Sequence, residues 1–250
     1  MANPYKFYLA HMHDKSGFRA SWDPSRVLKI GYVGKLDKFG VFTVFSSLED
    51  EGIVPKIGAQ GSKVDMDYTS HDSVSVSLKA SGTAPVAGSA LTELDAGFTI
   101  GFKGGSGVVF QTSGQRTMEI INMDAIQKQI VEKFNEGNWD QDSLIVTHLV
   151  EADTVTVIIS NSSNGLLELK AKAGVGTANL KLTDATLGLT VAREQGSTMK
   201  FISQSGLTPL YRVMGLHHPL FKDWKLTPKG KGPENLSVQD FDSKEVEEDD

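Results

Sequence analysis

The chain has 250 residues, with 25 Lys+Arg against 31 Asp+Glu, 39% hydrophobic and 22% charged residues, and no cysteine. That length can bury a substantial core and the balance is that of a globular chain, which excludes wholesale disorder. Without cysteine there is no disulfide framework, zinc–thiolate site, thiol nucleophile or S-acyl anchor. The opening MANPYKFYLAHMHDKSG lacks the apolar core of a signal peptide, and no window approaches the roughly 18 apolar residues of a spanning helix. A soluble chain in a reducing compartment is expected.

Charge is unevenly spread. Residues 233–250 hold eight acids and one base, a net of −7, so the preceding 232 residues carry +1 of the total −6. The first forty residues hold Lys6, Lys15, Arg19, Arg26, Lys29, Lys35 and Lys38 against Asp14, Asp23 and Asp37. Lys222, Lys225, Lys229 and Lys231 face only Asp223 just before the acidic tail. Such a tail reads as a solubilising end or as a mask over a basic surface. Neither pattern is basic enough for a dedicated nucleic-acid binder.

In chain order, Lys6–His13 fits a short strand or a helix, and Trp22-Asp23-Pro24 reads as a turn. Between Val27 and Phe45, apolar residues recurring among Gly31, Gly34 and Gly40 predict strands joined by glycine turns. Ser46–Asp50 predicts a capped helical turn closed by Gly52. Regular alternation follows at Val64, Met66 and Tyr68, at Val74, Val76 and Leu78, at Phe98, Ile100 and Phe102, and again over Val108–Thr112. Period two places one face against something apolar and the other in water.

Met123, Ile126, Ile130 and Phe134 form one apolar stripe and predict a helix over 122–135, with Asn122 as its cap, Asp124 facing the dipole and Gly137 at its end. Leu144–Val150 and Val155–Ser160 are near-continuously apolar, as for strands buried on both faces. Leu167, Leu169, Ala171 and Ala173 alternate with charged residues. Leu180, Leu182, Leu187, Leu189 and Val191 extend the pattern, and Met199–Ile202 reads as a last strand. Leu207–Leu220 closes the ordered part, with Pro209 and Pro219 limiting any helix there.

Little in the chain carries chemistry. His11-Met12-His13-Asp14 offers two imidazoles and a carboxylate but no third ligand cluster, and His217-His218, His71 and His148 stand apart, so exposed polar residues are the simpler reading. Gly101-Phe-Lys-Gly-Gly-Ser-Gly107 lacks the Gly-Lys-Ser/Thr ending of a phosphate loop and reads as a hairpin tip. Asp65 and Asp67 share one strand face and read as solvated. No nucleophile elbow, zinc-protease helix or calcium loop is present, so no catalytic residue, metal or cofactor is assigned and a non-enzyme is expected.

The fold class is α+β: a long-stranded antiparallel twisted sheet with few helices. The expected domains are a β-rich body over 1–205, a basic segment over 206–232 and an acidic, disordered tail over 233–250. Segments of seven to ten residues, half apolar and half polar, have the length of tilted bilayer-crossing strands. The same rhythm fits a two-layer sheet packed on the helix at 122–135.

Phe42–Gly52, with Ser46-Ser47-Leu48-Glu49-Asp50, is similar to the Thr-x-x-Leu-Leu-Asp stretch of the gasdermin family's pore-forming amino-terminal domain. Val64-Asp-Met-Asp67 followed by Val74-Ser-Val-Ser-Leu-Lys-Ala-Ser-Gly82 resembles the passage that starts that family's first membrane-inserting hairpin. The helix at 122–135 with Leu144-Ile-Val-Thr-His-Leu-Val-Glu-Ala-Asp-Thr-Val-Thr-Val157 resembles the elements preceding the second. By element order the likeness spans roughly residues 25–205 and suits a compact microbial-type member. The chain departs from that pattern in having no amino-terminal cysteine and a near-neutral body.

The resemblance implies a soluble, autoinhibited cytoplasmic protein that moves to the membrane on activation by a protease or partner subunit. There it would bind anionic lipid, form a homo-oligomer and refold 64–113 and 144–193 into transmembrane β-barrel hairpins, permeabilising the membrane and causing cell death in an immune setting. The implied membrane-inserting residues are Val64, Met66, Tyr68, Val74, Val76, Leu78, Phe98, Ile100, Phe102, Val109, Leu144, Val146, Val155, Val157, Leu167, Leu169, Leu187 and Leu189. The implied lipid-binding residues are Lys6, Lys15, Arg19, Arg26 and Lys29. The competing expectation is a non-catalytic β-rich protein-binding or assembly module.

Overall fold

The computed structural model describes residues 4–70, 73–172, 181–217 and 225–229. The expected acidic tail at 233–250 lies outside them, as do His71, His218, Ala173, Leu180, Lys222 and Lys231. The chain opens with helix α1 (Pro4–Ser16), deciding between the two readings of that stretch in favour of the helix. Seven strands follow: β1 (Arg19–Ala20), β2 (Tyr32–Leu36), β3 (Phe42–Ser47), β4 (Val64–Thr69), β5 (Val74–Lys79), β6 (Gly97–Phe102) and β7 (Gly107–Glu119). Helix α2 (Met123–Asn135) precedes β8 (Leu144–Ser160), β9 (Gly165–Lys170), β10 (Thr190–Gln195), β11 (Thr198–His217) and β12 (Lys225–Lys229). An antiparallel α+β fold with few helices is what the alternation predicts, and it is what forms.

The described residues divide into two compact units, and β7, β8 and β11 are long enough to contribute to both. One unit draws on the ranges 4–8, 63–70, 73–115, 152–172 and 181–207. Its four-stranded sheet runs β10-β9-β6-β5, while β4 pairs with β7. Phe98, Ile100, Phe102, Val109, Ile158, Leu167, Leu169, Leu182 and Leu187 make its apolar core. Among the described residues neither α1 nor α2 contributes to that cluster, so the expectation of a sheet closed by the helix at 122–135 does not describe this unit.

The other unit draws on the ranges 9–62, 116–151, 208–217 and 225–229. Its strand order is β1-β11-β8-β2-β3, with β12 also on β11. Among its described residues two apolar clusters form. Ile126 and Ile130 of α2 pack with Val33, Leu48, Ile53, Ile120, Trp139, Ile145 and Leu216, while Leu28, Phe42, Leu144, Val146, Leu149, Tyr211 and Val213 form the second.

Ser46–Gly52 keeps the expected form, a capped turn after β3 closed by Gly52: Ser47 Oγ accepts from the Asp50 N–H and the Ser47 carbonyl from the Glu51 N–H, each at 3.1 Å, and Gly52 adopts φ +73°. Several other local expectations are corrected. The two apolar runs at 144–150 and 155–160 are one uninterrupted strand, β8. Leu187 lies in a single 3-10 turn (Ala185–Leu187), capped by Asp184, whose carboxylate accepts from the Thr186 N–H at 2.9 Å. The strand expected over Met199–Ile202 neither stops there nor is the last: β11 continues through Ser205 and Pro209 to His217, and β12 follows it. The expected boundary at 205/206 therefore lies inside a strand.

The glycine-rich run at 101–107 is a crossover, not a hairpin tip. β6 pairs with β5 and β9 in one sheet, whereas β7 pairs with β4 in another. Glycine is needed at 107 for space: a Cβ there would lie 2.5 Å from Val74 Cγ2 and 2.8 Å from Phe102 Cδ1.

Candidate membrane-active sheet

Register turns the alternation of β5, β6, β9 and β10 into continuous rows. Val76, Ile100 and Leu167 lie side by side, as do Leu78, Phe98, Leu169 and Val191, and Val74 aligns with Phe102. Between them run polar rows: Ser77, Thr99, Glu168 and Arg193, then Lys79, Gly97, Lys170 and Thr190. Across β5, β6 and β9 one face is thus apolar, interrupted on β10 where Glu194 aligns with Leu167, and the other is mainly hydroxylic and charged, because side chains alternate across each strand. The centre of the apolar face is buried, but its margin is open: on the edge strand β5, Val76 is 36% and Leu78 48% exposed. Each of the four strands has six residues, short of the roughly 9–11 that cross a bilayer.

A cleft of about 510 Å³ opens beside this margin, lined by Met66 and Thr69 of β4, Val76 and Leu78 of β5, Phe98, Thr112 and Leu182. Asp65, Asp67, Lys181 and Gln111 also line it. Asp65 accepts from Lys181 Nζ at 2.7 Å and from the Gly114 N–H at 2.9 Å; Lys181 first, and Gly114 next, hold its carboxyl below the usual range. Asp67 accepts from Gln111 Nε2 at 2.9 Å. Both carboxylates are exposed, as the sequence reading has them, and each is also hydrogen-bonded to a neighbour.

The other candidate inserting residues are distributed unequally. Val64 is exposed on β4, with Met66 and Tyr68 half-buried beside it. Val74, Phe98, Ile100, Phe102, Val109, Leu167, Leu169 and Leu187 share one core, with Leu189 packed against it. Leu144 and Val146 belong to a core of the other unit, and Val155 and Val157 are fully buried on β8.

Of the basic candidates, Lys6 is half-buried and Lys15 exposed on α1, Lys15 Nζ lying 3.8 Å from Asp14. Lys29 is exposed, and Arg19 and Arg26 are half-buried. The fold brings these two arginines to Tyr211: burial pushes that phenol up to about 12, against the opposing pull of Arg19 and then Arg26. The sequence offered no sign of Arg212, whose guanidinium stacks 4.0 Å from the Phe18 ring and donates to the Gly17 carbonyl at 3.0 Å.

Nothing metal-like or membrane-helical emerges. Among the described residues there is no cluster of three or more His, Asp or Glu able to hold a metal ion, and no helix long and apolar enough to cross a membrane. Burial, and then Lys15, pull the His11 imidazole down. His148 Nε2 sits 3.4 Å from Glu119, yet burial and Arg212 outweigh that carboxylate and lower its pKa.

No protein-family model matches the chain. No curated protein matches it. Among solved structures it is similar to the gasdermin A3 membrane pore, with TM-score 0.40, 11% identity, and 94% of this chain and 99% of that chain covered. It is also similar to a bacterial gasdermin from Bradyrhizobium tropiciagri, with TM-score 0.37, 13% identity, and 89% and 90% covered. Both are gasdermins, the family named from the sequence.

Proposed function

We propose that this chain is a non-enzymatic membrane pore former, soluble when inactive, that assembles with copies of itself into a transmembrane β-barrel and permeabilises the membrane, with cell death as the outcome. The observation that supports this reading is the two-faced sheet β10-β9-β6-β5, whose apolar margin at Val76 and Leu78 is already exposed. A barrel strand needs that division, one face for lipid and one for the lumen, and closure satisfies the edge hydrogen bonds. Six-residue strands cannot span, so activation lengthens β5, β6, β9 and β10 into their connecting segments. The candidate inserting residues on these strands then face lipid. Lys6, Lys15, Arg19, Arg26 and Lys29 attract the anionic surface, each contributing about 1 kcal/mol at most near it. A protease or partner subunit triggers the change, and residues 233–250 restrain it.

Dye release from anionic liposomes tests the proposal, comparing the full chain with one ending at Gly232. That end point leaves β11 whole. Leakage that Val76→Asp or Leu78→Asp abolishes, with the soluble fold retained, is the expected result. Both positions are part-exposed and tolerate the change, unlike the fully buried Ile100. Folded protein that releases no dye from anionic or neutral liposomes, at either length, would return the chain to the β-rich assembly module.

A further inference from the structure

The connection between β5 and β6, residues 80–96, is gripped at its ends and open in its middle. The polar rows of the sheet hold its downstream part. Glu168, 1% exposed, accepts from Ser89 Oγ at 2.6 Å and from the Ala90 N–H at 2.8 Å. Lys170 Nζ lies 2.6 Å from Asp95, and Arg193 donates to the Gly88 carbonyl. Leu91 is buried beneath. The two ends are also laced together, Ser81 Oγ donating to the Leu94 carbonyl at 2.9 Å and the Gly82 N–H to the Glu93 carbonyl at 2.8 Å.

Between these anchors every residue from 83 to 87 is exposed. The backbone bonds at its margins are local turns, Thr83 N–H to Ala80 at 3.3 Å and Ser89 N–H to Val86 at 3.0 Å. Its sequence is Thr83-Ala84-Pro85-Val86-Ala87: small side chains with a proline that holds Ala84 extended. Val86 stands out at 78% exposure, an apolar side chain presented to solvent. Leu94 is as exposed, at 83%, but its backbone is pinned by Ser81 and its neighbours. An endoprotease must draw its substrate into an extended strand and seat one side chain in its S1 pocket, and exposed loop tips with small residues meet that need.

We propose that Val86–Ala87 is a processing bond for an endoprotease whose S1 pocket takes a small apolar side chain, and that the two products stay together. Hydrolysis adds one water across the amide, leaving a carboxylate on Val86 and an ammonium on Ala87. β5 and β6 then remain paired over six residues and held through Glu168 and Lys170, but are no longer joined. This inference stands independently of pore formation.

Limited digestion of the full chain with pancreatic elastase tests it, the cut being tracked by the new amino terminus so that trimming of the carboxy end does not affect the reading. The expected result is a terminus at Ala87, with fragments 1–86 and 87 onward coeluting on size exclusion without denaturant and separating in it. Val86→Asp, at an exposed position that does not bear on folding, lowers the rate of this cut at least about tenfold, because a charge is rejected by a small apolar pocket. The proposal is overturned if other described segments are cut while this loop stays intact, if Val86→Asp is cut there equally fast, or if the fragments part without denaturant.

Discussion

Lys170 on β9 places its ammonium 2.6 Å from the carboxylate of Asp95, closing the downstream end of the connection that begins at β5. Asp95 also accepts from the N–H and the hydroxyl of Thr92, each at 2.8 Å. Lys170 first, and the Thr92 N–H next, hold the carboxyl down to about 2. A carboxylate depressed on folding adds stability that is complete above its unfolded pKa and is lost as pH falls through the folded one. The gap in melting temperature between the protein and Asp95→Asn is therefore expected to be constant above about pH 4 and to close as pH drops towards 2. A gap that persists at pH 2 would show that the ion pair is not its source.

Two glycines of β6 behave differently on substitution. A Cβ at Gly97 would meet the Leu169 carbonyl oxygen at 2.0 Å, a backbone atom that cannot yield without parting β6 from β9. At Gly101 the contact is Ser75 Oγ at 2.9 Å, a hydroxyl that can rotate away. Gly97→Ala is expected to cost at least about 2 kcal/mol of unfolding free energy, and Gly101→Ala less than about 1. Denaturant midpoints of the two variants decide the matter, and equal losses would refute the steric assignment.

Asn122 precedes α2 but does not cap it; its side chain bridges to the segment before β4 instead. Oδ1 accepts from the Lys56 N–H at 2.7 Å and Nδ2 donates to the Val54 carbonyl at 3.1 Å. Asn122→Ala is expected to lose about 1–2 kcal/mol. Asn122→Ser, a strong capping residue, fails to recover it because its hydroxyl is too short for the bridge. Full recovery by serine in urea unfolding would restore the cap as the dominant role.

The lowered pKa of His148 gives a pH dependence of the same sign as that of Asp95, by another cause. Its neutral form is favoured by burial and by Arg212, and Nδ1 lies 3.1 Å from Thr147 Oγ1. The unfolded chain binds the proton more readily, so this stability is complete above about pH 6.5 and declines as pH falls below it. Replacing His148 with glutamine is expected to flatten the change in melting temperature between pH 7 and 5. An unchanged slope would assign it elsewhere.

Period two, the apolar stripe of α2 and the glycine punctuation determined from the sequence that strands would dominate, where most begin, and which side chains share a face. These are local properties, set by backbone geometry within a few residues. Gly137 ends α2 at φ +78°, and Gly31 and Gly40 turn the chain with positive φ, as their positions implied. Only the tertiary structure decided which strands are neighbours. It sent β6 and β7 to different sheets across 103–106, carried β11 through Pro209 to His217, and turned Asn122 from cap to bridge. The same holds for Glu168. Its alternation marks it as a polar-face residue, but its buried bonds go to Ser89 and Ala90, 79 and 78 residues earlier. Pairing, burial and charge balance are settled by partners distant along the chain, and no local pattern encodes which partner arrives.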